Sequence, residues 1–144
     1  MKFPLFVDLT GKKAVVVGGG KIACRRIDVL RQFGAEITVI APEYAGETEG
    51  LIWKPRPYAP GDLKGAFLAI AATDDRSVNH LVGREAALGQ IPVSVADRQE
   101  ECSFFFPAVC FGEGLVAGLV SDGQHHCKTA AAAAALRSTL EGLK

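Results

Sequence analysis

The chain has 144 residues, 49% of them hydrophobic and 22% charged, which supplies one packed core and excludes a disordered or fibrous class. Sixteen basic residues balance sixteen acidic ones, so the net field that holds proteins to nucleic acid is missing and no nucleic-acid partner is expected. No apolar run approaches the roughly 20 residues that span a bilayer, and the first residues lack the apolar core of a secretory signal, so no membrane role and a cytoplasmic location are expected.

Residues 13–18 (KAVVVG) form a β-branched run that ends in glycines, and a helix follows over 22–33, stopping at Gly34. Residues 36–41 (EITVIA) make a second buried strand, ended by Pro42. Strand, helix and strand form one βαβ unit, whose crossover is right-handed by rule. Residues 46–64 mix Gly, Pro and charges around Leu51-Ile52-Trp53 and read as a loop with a short edge strand. Residues 66–73 (AFLAIAAT) are a third strand, and Asp74-Asp75 can cap a helix through Val78, Leu81, Val82 and Leu88 that Gly89 closes. Residues 91–96 are a fourth strand.

This alternation predicts an α/β fold, a Rossmann-type parallel sheet with flanking helices. Residues 103–111 and 115–121 then read as the two strands of a hairpin, joined through Phe111-Gly112-Glu113-Gly114. From 128 to 143, a segment with six consecutive alanines reads as a C-terminal helix. The expected division is a Rossmann-type NAD-binding domain over 1–121 and a helical segment over 122–144, packed on that domain or on a partner subunit. Cys24, Cys102, Cys110 and Cys127 are too far apart for a C-x-x-C pair and are expected to be reduced and mostly buried.

Gly18-x-Gly20-x-x-Ala23 has the spacing of a dinucleotide turn, and it follows a predicted strand and opens a helix. Gly18 permits the tight turn, Gly20 lets a phosphate approach, and Ala23 is small enough for the helix to pack on the strand. The acidic residue that usually ends the second strand and holds the ribose is replaced by Ala41. Glu43 lies two residues on and opposes a 2′-phosphate, which favours NAD over NADP. Thr73 and Asp74, at the tip of the third strand, face the crevice where such sheets bind ligands, with helix capping as the alternative role for Asp74.

Several segments in order resemble the precorrin-2 dehydrogenase family, the NAD-dependent module of sirohaem synthases. They are Phe3-Pro4-Leu5-Phe6, Val16 to Ala23 with Arg25-Arg26, Thr38-Val39-Ile40-Ala41-Pro42, Ala71-Ala72-Thr73-Asp74-Asp75 with Val78-Asn79, and Val95-Ala96-Asp97 leading to Cys102-Ser103-Phe104 and Phe106-Pro107-Ala108. The resemblance covers roughly residues 3 to 121. It implies oxidation of precorrin-2 to sirohydrochlorin with hydride passed to NAD, in sirohaem biosynthesis. It places Lys21, Ile22, Pro42 and Glu43 against NAD, makes Asp97 the catalytic aspartate, and sets Ser121 near the tetrapyrrole. Asp97 also stands just past the end of a strand, where a carboxylate can act as general base; capping the turn before Arg98 is its structural alternative.

Precorrin-2 carries eight carboxylates, so Arg76, Arg98, His125, His126 and Lys128 are candidate contacts, each with ordinary solvation as its alternative. After Ser121 the family's Gly-Gly turn gives way to Asp122 through Lys128. His125-His126-Cys127 is not expected to bind metal, because adjacent side chains diverge. The sequence stops at Lys144, short of the helical extension of longer members, which favours a dehydrogenase without iron insertion. A bifunctional dehydrogenase and ferrochelatase, and a non-catalytic NAD-binding sensor or scaffold, are the alternatives. Family members pair through the C-terminal region, so a homodimer is expected.

Overall fold

The computed structural model describes residues 2–123 and 126–143, with no side-chain description for His126. By compactness the chain forms two units, one over 7–104 and one made of 1–6 with 105–144.

The first unit is a five-stranded, wholly parallel sheet. In chain order it comprises β1 (Lys13–Val17), α1 (Lys21–Gln32), β2 (Glu36–Ile40), β3 (Ile52–Lys54), β4 (Leu68–Ala71), α2 (Arg76–Leu88) and β5 (Val93–Val95). Its strand order is β3-β2-β1-β4-β5. The chain therefore winds outward from β1 in both directions. Right-handed crossovers then place α1 and α2 on opposite faces. Strand alternation agrees. Val15, Val17, Ile40, Ala69, Ala71, Val93 and Val95 pack in one cluster with Val82 and Ala86 of α2. Ser94 points the other way and accepts a hydrogen bond from Arg26 Nη1 of α1 at 3.2 Å. Burial of that guanidinium lowers its pKa.

The edge strand expected near Leu51-Ile52-Trp53 is β3, and it pairs with β2 through Thr38↔Ile52 and Ile40↔Lys54. The loop behind it is tied down by Glu85 of α2, whose carboxylate accepts from the Gly61 and Leu63 amides and from the Tyr58 hydroxyl. Leu63 is thereby fully buried in a loop that reads as polar. The helix α2 runs through Val78, Leu81, Val82 and Leu88 and ends at Gly89, as expected. Its buried face carries Asn79, Val82, Gly83 and Ala86, whereas Leu81 and Leu88 are 50% and 83% exposed. The left-handed residue after it is Gln90, at φ 54°, while Gly89 keeps an ordinary φ of −84°.

The second unit contains the antiparallel hairpin β6 (Ala108–Gly112) and β7 (Leu115–Leu119) and the helix α3 (His126–Glu141). The strands are shorter than expected, because residues 99–101 form a 3₁₀ turn and 102–107 are irregular. The hairpin groups with α3, although the expected division placed it with the Rossmann-type part. Gly112 explains part of the fit: a β-carbon there would lie 3.0 Å from Leu140 Cβ of α3. Cys110 is fully buried and donates to the Ala133 carbonyl at 3.4 Å. Of the four free cysteines only Cys110 is buried; Cys24 and Cys102 are half-buried and Cys127 is exposed, which corrects the expectation of mostly buried thiols. Among the described residues no helix is long and apolar enough to cross a membrane.

Candidate functional site

Val17, Ile40, Ala71 and Val95 form one row of register across β2, β1, β4 and β5. Everything that follows these residues leaves the sheet from one line. The turn at Gly18, the segment at Pro42 and Glu43, the tip at Thr73 and Asp74, and the Asp97 turn therefore share the carboxyl edge of the sheet, where ligands of such folds bind.

The glycine turn is built by close approach of backbones. Gly18 is buried at φ 121°, and a β-carbon there would overlap the carbonyl of Ala72. A β-carbon at Gly19 would overlap the carbonyl of Glu43, and the Ala45 amide donates to the Gly19 carbonyl at 3.1 Å. Gly19, which the spacing motif leaves as a free position, is thus as constrained as Gly18. Nothing lies within 4 Å of the place a Gly20 β-carbon would occupy. Gly20 is the N-cap of α1 and brings no side-chain acceptor. The N–H groups of Lys21, Ile22 and Ala23, at the start of α1, have no partner among the described residues. An open cradle with spare donors at a helix N-terminus suits a pyrophosphate. Ala23 is fully buried, as a close helix–strand contact requires, while Lys21 and Ile22 are exposed and Ile22 is 51% accessible.

At the end of β2, the Trp53 indole donates to the Ala41 carbonyl at 3.0 Å, so this end is fixed by the edge strand. Pro42 and Glu43 are exposed, and the Glu43 carboxylate has no partner among the described residues. At the end of β4, Asp75 caps α2, accepting from the Ser77 amide at 2.8 Å and the Val78 amide at 3.4 Å. That leaves Asp74 exposed and uncommitted. The tip is clamped by Asn79, which is wholly buried. Its side-chain oxygen accepts from the Thr73 amide at 3.0 Å and from the Thr73 hydroxyl at 2.8 Å, and its amide nitrogen donates to the Thr73 carbonyl at 3.0 Å. Asn79 was visible in the sequence only as part of a motif. A polar residue on the buried stripe of a helix was the signal that it has a partner.

Asp97 lies two residues past β5 in an exposed turn. Arg76 Nη1 donates to its Oδ1 at 2.7 Å, and Arg76 Nη2 donates to Glu101 Oε2 at 2.5 Å. His80 Nδ1 meets Glu101 Oε1 at 3.2 Å. The hydrogen bond from Arg76 holds the Glu101 carboxyl below the usual range, and the bond to Glu101 raises Arg76 in turn. Arg76 is therefore taken up by two carboxylates of its own chain. Glu101 and His80 were not singled out in the sequence, where they lie 25 and 4 residues from Arg76. Arg98 is exposed and its guanidinium has no ion-pair partner among the described residues.

Ser121 and Lys128 belong to the second unit. Ser121 accepts from the Gly123 amide through Oγ at 3.2 Å, and its carbonyl accepts from Lys2 Nζ at 2.6 Å. Lys128 is exposed in the first turn of α3. His125 lies outside the described residues, as does the side chain of His126.

A doubly wound parallel sheet with this turn defines the chain's class as a dinucleotide-binding Rossmann-type domain. A family model described as "Putative NAD(P)-binding" matches residues 5–108. The solved structure of "SirC, precorrin-2 dehydrogenase" is similar at a TM-score of 0.78 and 30% identity, covering 96% of this chain and 71% of that one. The "Probable multifunctional siroheme biosynthesis protein HemA" of Ruminiclostridium josui is 46% identical over 132 residues, 87% of this chain and 26% of that protein. The "Siroheme synthase" of Photorhabdus laumondii is 38% identical over 146 residues, 97% of this chain and 30% of that protein. The chain belongs to the precorrin-2 dehydrogenase family. It spans less than a third of the length of these two curated relatives.

Proposed function

We propose that the chain is an NAD-dependent oxidoreductase that converts precorrin-2 to sirohydrochlorin in sirohaem biosynthesis. The observation that carries this is the shared edge: the open cradle at Gly20 and the carboxylate of Asp97 leave the sheet from one row of register. The oxidation removes two hydrogens from the macrocycle, one as hydride and one as a proton. NAD, when bound, supplies the hydride acceptor. The chain's own residues do the rest. Gly18 and Gly20 with the Lys21, Ile22 and Ala23 amides hold the pyrophosphate, Pro42 and Glu43 line the ribose side, and Thr73 and Asp74 wall the crevice. Glu43 disfavours a 2′-phosphate by like charge, so NAD is preferred to NADP. Asp97 takes the proton through Oδ2, the oxygen that Arg76 leaves unbonded. Arg98, Ser121, His125 and Lys128 stay candidates for the substrate's carboxylates on residue type alone.

We further propose a homodimer joined through the second unit, where Leu115 and Val116 on the hairpin, Val120 just after it and Leu143 just after α3 are between 42% and 64% exposed. Free cysteines and a pyridine nucleotide suit the cytoplasm, to which we assign it. Anaerobic incubation with precorrin-2 and NAD tests the activity: the sirohydrochlorin spectrum should appear together with NADH, and its absence would refute the proposal. Light scattering should give a mass of two chains, and one chain for Leu115→Glu with Val116→Glu.

A further inference from the structure

We propose that Arg76 is a positioning residue that aims Asp97 at the substrate, with Glu101 and His80 holding Arg76 in turn; this rests on the role given to Asp97 above. Asp97 sits on an exposed turn, where a carboxylate alone would sample several rotamers. The base of that turn is pinned to β5: Cys102 Sγ accepts from the Val95 amide at 3.1 Å, and the Ser103 amide donates to the Val93 carbonyl at 2.9 Å. The top of the turn is reached by Arg76.

Arg76 is the first residue of α2, and its fork is divided between Asp97 Oδ1 at 2.7 Å and Glu101 Oε2 at 2.5 Å. A planar guanidinium with both arms engaged has a fixed plane, so it fixes the direction of the carboxylate it holds. His80, one turn along the same face of α2, meets the other oxygen of Glu101 at 3.2 Å. Space for Glu101 comes from Gly83, where a β-carbon would be 3.3 Å from Glu101 Oε2. Arg76 reaches Oδ1 of Asp97 alone, so Oδ2 is left open to the substrate. Two of the five guanidinium N–H donors are committed within the chain, one on each terminal nitrogen, so the direction of Arg76 is set by Asp97 and Glu101.

The test is steady-state kinetics of the full chain with precorrin-2 and NAD for Arg76→Gln, Arg76→Lys, Glu101→Gln, Asp97→Asn and the Arg76→Gln, Asp97→Asn double variant. Arg76→Gln should lower kcat by about 10- to 100-fold with KM for precorrin-2 little changed, as a misaimed group does. Arg76→Lys should recover part of the loss, because an ammonium reaches one carboxylate but not both. Glu101→Gln should show a smaller loss of the same kind. In the Asp97→Asn background, Arg76→Gln should cost less than about twofold, the mark of acting through Asp97. Losses that multiply in the double variant would overturn the proposal, as would a raised KM for precorrin-2 with kcat kept, which would make Arg76 a substrate contact. A wild-type chain that does not oxidise precorrin-2 refutes the assigned activity and this role with it, whereas an active wild type with insensitive Arg76 variants refutes the role alone.

Discussion

At the ends of β1 and β2 the candidate site is made of backbone: Gly18 against Ala72, Gly19 against Glu43, and bare N–H groups opening α1. After β5 it is made of side chains: Asp97, Arg76, Glu101 and His80, all at least partly exposed. Both halves leave the same edge of one sheet. The difference is that the crowded glycines of the first half, Gly18 and Gly19, cannot be altered without disturbing the fold, while the second half can be altered with little cost to it. A binding cradle must be rigid and close to the core, since a phosphate is held by many fixed dipoles. A proton acceptor must be reached by substrate, so it stands out in solvent and needs neighbours to keep its aim.

The sharpest break of this contrast is chemical. Asp97→Asn should reduce kcat by about 10²- to 10⁴-fold, while NAD affinity and the urea midpoint stay near wild type. A comparable loss of stability would mean that the turn is structural.

Next come the crowded glycines. Gly18→Ala and Gly19→Ala should each cost about 3 kcal/mol or more of unfolding free energy in urea titrations, from strain at φ 121° in the first and overlap with backbone in both. Gly20→Ala should separate binding from folding. Its stability should change by less than about 1 kcal/mol, while NAD affinity measured by calorimetry falls, because the methyl group fills the open cradle. Equal destabilisation at Gly18 and Gly20 would erase the distinction.

Asn79→Ala comes below these and should cost about 1–3 kcal/mol, by leaving the half-buried Thr73 backbone groups unpaired. It should also weaken NAD binding by loosening the tip against which Gly18 rests.

The smallest effect concerns pH. The Glu101 carboxyl is held below its ordinary value of 4.5, chiefly by the Arg76 hydrogen bond. Its stabilisation is therefore complete above about pH 5 and is lost as pH falls through the lowered value. The difference in Tm between wild type and Glu101→Gln should be present at neutrality, should close in acid, and should shrink in salt. A difference that persists in acid would show that packing, and not the ion pair, holds Glu101.

Much of the fold was legible because its signals are local. Short β-branched runs between glycines, Pro42 after the second strand and an aspartate before α2 each carry their own cause. The strand β3 was legible as an edge because Gly and Pro crowd its flanks. The face of α2 was not legible: the buried stripe is Asn79, Val82, Gly83 and Ala86, chosen by the close sheet above and by the Thr73 groups that Asn79 satisfies. In α3, alanine on every side hides periodicity, and the covered line through Ala133 appears only once the hairpin lies against it.

The sequence by itself determined the order of elements and the glycine turn, since spacing and residue type decide those, while the role proposed for Asp97 came from the resemblance to the family. Only the tertiary structure decided that Gly19 is as constrained as Gly18, that Asp75 and not Asp74 caps α2, and that Arg76 belongs to Asp97 and Glu101. Each of these depends on atoms 21 to 54 residues apart meeting across the carboxyl edge of the sheet, or on which of two adjacent aspartates faces the helix. Spacing along a chain carries no record of such contacts.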